Sequence, residues 1–165
     1  MKRLLVLRHA KSSWDDASLA DWKRPLSARG ERDAPRIGVL LRDRSLMPDI
    51  IITSDAVRAH TTARAVAEAA GYAGEIVVEP ALYHADPDDV LALLKIMSDE
   101  RARAVLIVGH NPGLEDLIEQ LTGERHDLPT AALVHLALPI DRWREIDAAG
   151  GATVVDIWRP KDLAP

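Results

Sequence analysis

The stretch that decides the fold is LLVLRHA, residues 4–10, near the start of the 165-residue chain. Four apolar residues, a run typical of a strand buried in a parallel sheet, end abruptly in Arg8 and His9. A permanently charged guanidinium and a titratable imidazole therefore stand side by side where the predicted strand leaves the sheet. Similar junctions occur twice more along the chain.

The second junction is IIITSDAVR, residues 50–58, in which Arg58 falls in the first helical turn after an apolar strand. The third is VLIVGHNPG, residues 105–113, in which His110 directly follows a strand. In open α/β sheets, ligands bind beyond the carboxyl ends of the strands. If the three strands are neighbours, we expect their ends to bring together Arg8, His9, Arg58 and His110.

Apolar runs alternate with helical patterns along the chain, which is typical of an α/β sheet with helices on both faces. Strands are predicted at residues 4–7, 50–53, 75–78, 104–108, 132–138 and 152–158. Helices are predicted at residues 27–42, 55–70, 86–97 and 112–121. We expect one domain over residues 1–165, with three α/β/α layers and a mostly parallel central sheet.

Composition argues against several classes of function. A net charge of −5 disfavours general nucleic-acid binding, which needs a basic surface. The chain has no cysteine, so disulfides, thiolate nucleophiles and zinc–thiolate sites are excluded. The run at residues 4–7 is too short for a signal peptide, and no stretch approaches the ~20 apolar residues of a membrane span. The expectation is a cytoplasmic protein, monomeric by default, without a nucleic-acid or membrane partner.

Two arginines and two histidines together favour an anion over a metal ion, because guanidiniums repel cations. Guanidinium groups match phosphate oxygens bidentately, and helix N-termini add amide donors. A neutral histidine beside such a phosphate can attack phosphorus in line and form a labile N–P bond. A second histidine can stabilise the transition-state oxygens. We therefore predict a phosphate site with no metal and no cofactor.

Each junction taken alone has an ordinary structural interpretation. Arg8-His9 would be a strand end, Arg58 a solvated helix residue and His110 part of a turn. Their recurrence, each directly after an apolar strand, favours a functional site.

This arrangement resembles the histidine phosphatase superfamily, which includes the cofactor-dependent phosphoglycerate mutases. The family's Arg-His-Gly corresponds to Arg8-His9-Ala10, with Ala in place of Gly. The stretches DWKRPLSARG, residues 21–30, and VGHNPG, residues 108–113, are similar to the small SixA-type phosphohistidine phosphatases. The resemblance implies a minimal phosphoglycerate mutase-like fold without a large cap. It also implies that His9 is the nucleophile that becomes phosphorylated, that Arg8 and Arg58 clamp the phosphate, and that His110 is the second pocket histidine.

The main departure from the family concerns the general acid. Larger members place a glutamate shortly beyond the third strand, in a segment ending Glu-Gly, and EPALYHADPDDV, residues 79–90, has no such match. The candidate acids are Asp21, Glu79, His84 and Asp86, although Asp86 is more simply the cap of its helix.

A missing acid bears on the substrate. A phosphorylated imidazole leaves as a group with a pKa near ~6.5, whereas an alkoxide needs a proton from a positioned acid. The short segment at residues 81–103 also leaves no room for an elaborate lid. Both features favour a phosphohistidine-bearing protein, such as a phosphotransfer domain, as the substrate.

Four other residues near the junctions have two interpretations each. Ser12 either binds the phosphate or lies in a solvated loop, and Arg24 either binds the phosphate or braces its loop on Asp21. Trp14 and Trp22 either dock a partner or, as we expect, cover the edge of the sheet.

The leading hypothesis is a metal-independent phosphatase that acts through phospho-His9 in signal transduction. The close alternative keeps the same chemistry but acts on a small phosphorylated substrate, as a small-molecule phosphomonoester phosphatase. A non-catalytic phosphate- or phosphoprotein-binding adaptor is the alternative from another class. His9 argues against the adaptor, because an adaptor needs the arginines but no nucleophile.

Overall fold

The protein, described at residues 1–147 and 150–163 in a computed structural model, folds around one sheet. Within those residues the strands are β1 Lys2–Arg8, β2 Ile50–Thr53, β3 Ile76–Val78, β4 Ala104–Gly109, β5 Leu133–Leu138 and β6 Thr153–Trp158. The α-helices are α1 Ala28–Asp43, α2 Val57–Ala70, α3 Pro87–Lys95 and α4 Gly113–Thr122. Short 3-10 helices lie at Asp21–Lys23, Pro80–Leu82, Trp143–Glu145 and Pro160–Asp162.

The strand order is β3-β2-β4-β1-β5-β6. The first four strands in this order are parallel, and β5 and β6 extend the sheet as antiparallel strands. The predicted mostly parallel sheet is therefore confirmed. The three strands that end in the predicted junctions, β2, β4 and β1, are adjacent, so their carboxyl ends lie at one edge of the sheet.

Helices cover both faces because the central strands are apolar on both sides. Along β1, Leu5 and Leu7 pack into a core with α1 and α2, while Leu4 and Val6 pack into a core with α3 and α4. All four side chains are fully buried. The three-layer α/β/α architecture follows from this alternation along a single apolar run.

The helix ends follow local sequence closely. The Ser27 hydroxyl caps α1 by accepting a hydrogen bond from the Gly30 N–H at 3.2 Å, and α2 ends at Gly71 in the left-handed region at φ 71°. The α2 helix begins two residues later than predicted, because the extended backbone of Ala56 separates it from β2. Between β3 and β4 the described chain has one 3-10 helix and the nine-residue α3, with no large cap.

Candidate active site

The structure brings His9 and His110 together at the carboxyl edge of the sheet. The backbone N–H of His9 donates to the Gly109 carbonyl at 3.0 Å, so the pairing of β1 with β4 continues as far as the first histidine. The two imidazole ring centroids are 5.1 Å apart. This separation allows both rings to contact one small anion.

The orientation of His9 is fixed by its own neighbour. The His9 Nδ1 atom lies 2.7 Å from the Ala10 carbonyl oxygen. Because a carbonyl can only accept, Nδ1 carries the hydrogen and Nε2 keeps a lone pair. The Ala10 N–H in turn donates to the Thr62 hydroxyl at 3.0 Å, and Thr62 donates to the Arg58 carbonyl at 2.7 Å. Helix α2 therefore holds the peptide group that orients the imidazole.

Both histidines are neutral at pH 7. Burial, and then the positive charges of Arg58, Arg8 and Arg24, lower the pKa of His9 from 6.5 to about 4, although the hydrogen bond with Ala10 opposes the shift. Burial, followed by the neighbouring His9 and Arg58, lowers the pKa of His110 to about 3. A neutral imidazole has the lone pair that nucleophilic attack requires.

The Nε2 atom of His110 lies 2.8 Å from the Ser54 hydroxyl oxygen, and this oxygen accepts a hydrogen bond from the Ala56 N–H at 3.2 Å. Its other ring nitrogen, Nδ1, is buried and has no hydrogen-bond partner among the described residues. One face of the ring contacts Tyr83, with centroids 5.5 Å apart in an edge-to-face arrangement. The ring thus contacts Ser54 and Tyr83, while Nδ1 stays unpaired among the described residues.

Three guanidinium groups lie near His9, those of Arg8, Arg24 and Arg58. Arg8 donates to the Leu128 carbonyl at 2.9 Å, and Arg58 donates to the Asp21 carbonyl at 2.8 Å and its carboxylate at 2.9 Å. Arg24, whose charge also reaches His9, donates to the Ser12 hydroxyl at 2.5 Å. The Nε atoms of all three arginines, and one terminal nitrogen of Arg24, are buried without a hydrogen-bond partner among residues 1–147 and 150–163. Buried unpaired N–H groups are costly, so this cradle suits a bound anion.

Arg24 contacts three other residues of its loop, Asp21, Trp14 and Ser12. Its Nε atom lies 3.5 Å from the Asp21 carboxylate, as the bracing interpretation predicts. Its guanidinium is also 3.4 Å from the centroid of the Trp14 ring, in a cation–π stack.

The side chains of Ser12 and Arg24 are both buried, since each residue is only 6% exposed. The interpretation of Ser12 as part of a solvated loop is wrong.

Asp21 lies between Arg58, Arg24 and Tyr83, where the phenol hydroxyl of Tyr83 donates to its carboxylate. The Tyr83 hydrogen bond, and then Arg58 and Arg24, hold the pKa of the Asp21 carboxyl below its ordinary value, although partial burial opposes the shift. An acid with a lowered pKa is ionised at pH 7. Asp21 therefore lies at the site as an anion, with no proton to donate.

The other candidate acids are placed differently. The Glu79 carboxylate accepts from the Ala81 N–H, and Asp86 caps α3 in a reciprocal pair with Asp89. The cap assignment of Asp86 is confirmed. His84 is exposed and lies beside the site, with its ring centroid 4.1 Å from that of Tyr83.

The expectation that Trp14 and Trp22 cover the sheet edge is wrong. Trp14 is 70% exposed and Trp22 is 48% exposed. Trp14 stacks on Arg24, and the Lys23 ammonium lies 5.1 Å from the Trp22 ring centroid. Both rings lie in the connection between β1 and α1, the same connection that carries Asp21 and Arg24.

Sequence reasoning missed Tyr83, Thr62 and the hydroxyl of Ser54. Thr62 lies four residues after Arg58 on the same helix face, and Ser54 stands inside the second junction, so both carried a local signal. Tyr83 lies in a connection with no motif. Its contact with Asp21 spans 62 positions of sequence and depends on how two loops meet.

Two further features concern metals and membranes. No cluster of three or more histidine, aspartate or glutamate side chains suited to a metal ion occurs within the part of the chain described. No helix among the same residues is long and apolar enough to cross a bilayer.

Comparison with known proteins agrees with this geometry. The histidine phosphatase superfamily (branch 1) matches residues 4–93. An uncharacterized chloroplastic protein of Arabidopsis thaliana is 32% identical over 158 residues, which span 91% of this chain and 72% of the relative.

Solved structures with the same fold include SixA proteins. An Agrobacterium tumefaciens protein assigned as the phosphohistidine phosphatase SixA matches with a TM-score of 0.80 at 29% identity, covering 99% of this chain and 98% of the other. The protein histidine phosphatase SixA in complex with tungstate matches with a TM-score of 0.83 at 24% identity, covering 98% and 99%. The SixA-type resemblance is therefore confirmed. The chain belongs to the histidine phosphatase superfamily.

Proposed function

We propose that the protein is a phosphatase that works through a phosphohistidine intermediate on His9. The observation that carries the proposal is the free Nε2 lone pair of His9 inside a cradle of unpaired guanidinium N–H groups. A phosphoryl group bound by Arg8, Arg24 and Arg58 would present its phosphorus to that nitrogen with its charge neutralised.

In the first step, Nε2 attacks phosphorus, the bond to the leaving group breaks, and its electron pair departs with the leaving group. The phosphorylated ring becomes cationic, with its hydrogen still on Nδ1 and donated to Ala10. In the second step a water molecule attacks phosphorus and the electron pair of the N–P bond returns to Nε2. The water proton passes to the phosphate or to solvent, and His9 is restored as the neutral ring.

The role proposed for His110 is to stabilise the phosphoryl oxygens in both steps. In this role the Ser54 hydroxyl is the donor to Nε2 of His110, 2.8 Å away, and the hydrogen of the neutral ring lies on Nδ1, which has no partner among the described residues. That N–H would then donate to an equatorial oxygen as negative charge develops there.

The proposed substrate is phosphohistidine on a protein, such as a phosphotransfer domain. Glu79 and Asp86 accept hydrogen bonds as caps and Asp21 is ionised, which leaves His84, exposed beside Tyr83, as the remaining candidate acid. An imidazole leaving group does not require a strong acid. The names of the SixA structures describe the same kind of substrate for those proteins.

We further propose that residues 1–165 form a single histidine phosphatase domain. A cytoplasmic location, a monomeric state, metal independence and a part in signal transduction stay predictions.

The mechanism is tested by trapping the phosphoenzyme. Brief incubation with a labelled phosphohistidine protein, followed by denaturation, should give an acid-labile, base-stable phosphoprotein. The His9→Asn variant should give none and should lose turnover by several orders of magnitude. Full turnover by that variant would contradict the proposal.

The substrate is tested by comparing a phosphohistidine-bearing phosphotransfer protein with a panel of phosphomonoesters. The expected result is a higher kcat/KM for the phosphohistidine protein, unchanged by chelator and blocked by vanadate. A preference for a small monoester by orders of magnitude would assign the alternative substrate class. Phosphate binding without any turnover would instead assign an adaptor.

A further inference from the structure

The Asp21 carboxylate lies on the open side of the cradle. Its side chain is 51% exposed, whereas His9 is 7% exposed and forms the floor of the site. The Asp21 carboxylate forms an ion pair with Arg58 of the cradle at 2.9 Å, and its negative charge also interacts with His110. It is therefore held at the rim of the site while one side remains accessible to a bound molecule.

In-line attack places the leaving group opposite the nucleophile. With His9 on the floor of the site, a leaving group on the bound phosphorus would point outward, toward the rim that Asp21 and Tyr83 form. The groups that face Asp21 are Arg58 on α2, Arg24 after the first 3-10 helix and Tyr83 after the second, with His110 beyond them. The Asp21 carboxylate is thus an anionic group that pairs with two of the three cradle arginines on the side toward which the leaving group would point.

We propose that Asp21 accepts a hydrogen bond from the unphosphorylated ring nitrogen of the substrate phosphohistidine and so holds that ring as an imidazolium. The inference rests on the proposed function and assigns the residue that makes the site select phosphohistidine over phosphomonoesters. An adjacent carboxylate raises the pKa of an imidazole, because it stabilises the charged form.

The chemistry balances without a proton donor. The substrate ring carries phosphorus on one nitrogen and hydrogen on the other. When the P–N bond breaks, its electron pair returns to the ring, which leaves as neutral imidazole with that hydrogen in place. The Asp21 carboxylate holds the hydrogen bond throughout and is never protonated.

The same carboxylate disfavours phosphomonoesters. The oxygen of a leaving alcohol gains negative charge, which an ionised Asp21 would repel and cannot protonate. The arrangement therefore selects for a leaving group that is cationic before the bond breaks and neutral afterwards.

The test compares Asp21→Asn with the unchanged protein on two probes, phosphoimidazole and para-nitrophenyl phosphate. Asparagine keeps the shape and an oxygen that can accept from Arg58, but it removes the charge. Without the carboxylate, kcat/KM for phosphoimidazole should fall about 10- to 100-fold at pH 8, which corresponds to one to two pKa units. The loss should shrink toward pH 5.5, where the free probe is already protonated. The activity on para-nitrophenyl phosphate should not fall, because the substitution removes the charge that would repel the leaving oxygen.

Asp16→Asn is the matched control, because Asp16 is an exposed carboxylate of the same loop bonded to Ser18. The kcat/KM of the Asp16→Asn variant should equal that of the unchanged protein on both probes. Vanadate inhibition within about threefold of the unchanged protein would show that the cradle of Asp21→Asn is intact. If the Asn variant loses vanadate binding, Asp21→Ser supplies the same comparison.

Equal losses on both probes at every pH, or no loss on phosphoimidazole, would overturn this inference and leave Asp21 as a support for Arg58. Those outcomes differ from failure of the proposed function, in which the unchanged protein would form no phospho-His9 from either probe.

Discussion

His9 and Thr62 are linked through a single peptide group, that of Ala10. The Ala10 carbonyl accepts from His9 Nδ1 at 2.7 Å, and the Ala10 N–H donates to the Thr62 hydroxyl at 3.0 Å. The proposed nucleophile is therefore oriented from α2, although it stands on β1. This link makes a buried threonine, with no contact to phosphate assigned to it, important for the reactivity of His9.

The Thr62→Val variant should weaken both stability and the first chemical step. Valine preserves the shape but leaves the buried Ala10 N–H without its acceptor, which costs about 1–3 kcal/mol. We expect the rate of phospho-His9 formation to fall about tenfold, because the Ala10 carbonyl is less firmly held. Urea unfolding and rapid-quench trapping measure the two effects. Thr61→Val, on the same helix and half-buried, is the control. Wild-type stability in Thr62→Val would contradict the link.

Arg24→Lys tests the third guanidinium. Lysine keeps the charge but loses the fork that bonds Ser12 and the planar stack on Trp14. Loss of one charge-assisted hydrogen bond predicts about tenfold weaker inhibition by vanadate. The control is Lys23→Gln at the neighbouring exposed residue. Vanadate should inhibit this variant as strongly as it inhibits the unchanged protein. If Arg24→Lys binds vanadate as well as the unchanged protein, Arg24 serves only to brace its loop.

The depressed pKa of His9 predicts a pH-dependent stability. Between pH 6.5 and about 4, the unfolded chain protonates this histidine while the folded protein keeps it neutral. Stability is thus lost as the pH falls through that window, by on the order of 3 kcal/mol from His9. Thermal unfolding in phosphate-free buffer should show a shallower decline for His9→Asn. Parallel curves for the two proteins would contradict the depressed pKa.

Gly30→Ala should disturb the loop after the proposed nucleophile. A Cβ atom at this position would lie 2.1 Å from the Lys11 carbonyl oxygen, which already accepts hydrogen bonds from the Ser27 N–H and hydroxyl. A Cβ atom and a backbone carbonyl cannot rotate away from each other as two flexible side chains could. We therefore expect the free energy of unfolding to fall by about 1–3 kcal/mol. Gly109→Ala is the matched control, since its Cβ would lie 3.5 Å from a Leu114 methyl group in ordinary contact. Similar unfolding midpoints for the two variants would argue against a close approach at Gly30.

The residues predicted most securely were those next to an apolar strand. Arg8 ends β1, His9 and His110 directly follow β1 and β4, and Arg58 lies in the first turn of α2. Their convergence needed only that these strands be parallel neighbours. The carboxyl ends of parallel strands meet at one edge of a sheet whatever the order of the strands. Local sequence thus predicted both the fold class and the centre of the site.

The rim of the site required tertiary structure. Asp21 stood among four candidate acids, and its sequence context did not show that Tyr83, Arg58 and Arg24 would surround it. Because these partners come from different loops, the ionised state of Asp21 depends on how the loops pack. The same holds for Trp14, which stacks on Arg24 and is otherwise exposed.

The sequence by itself determined the α/β fold and the two histidines and two arginines at its strand ends, because hydrophobic periodicity and strand polarity are local properties. Only the tertiary structure decided which ring nitrogen of His9 keeps its lone pair, which arginine places a third guanidinium near His9, and whether the Asp21 carboxyl carries a proton. These depend on hydrogen bonds and burial created when residues far apart in the chain meet, as Tyr83 meets Asp21 and Thr62 meets Ala10.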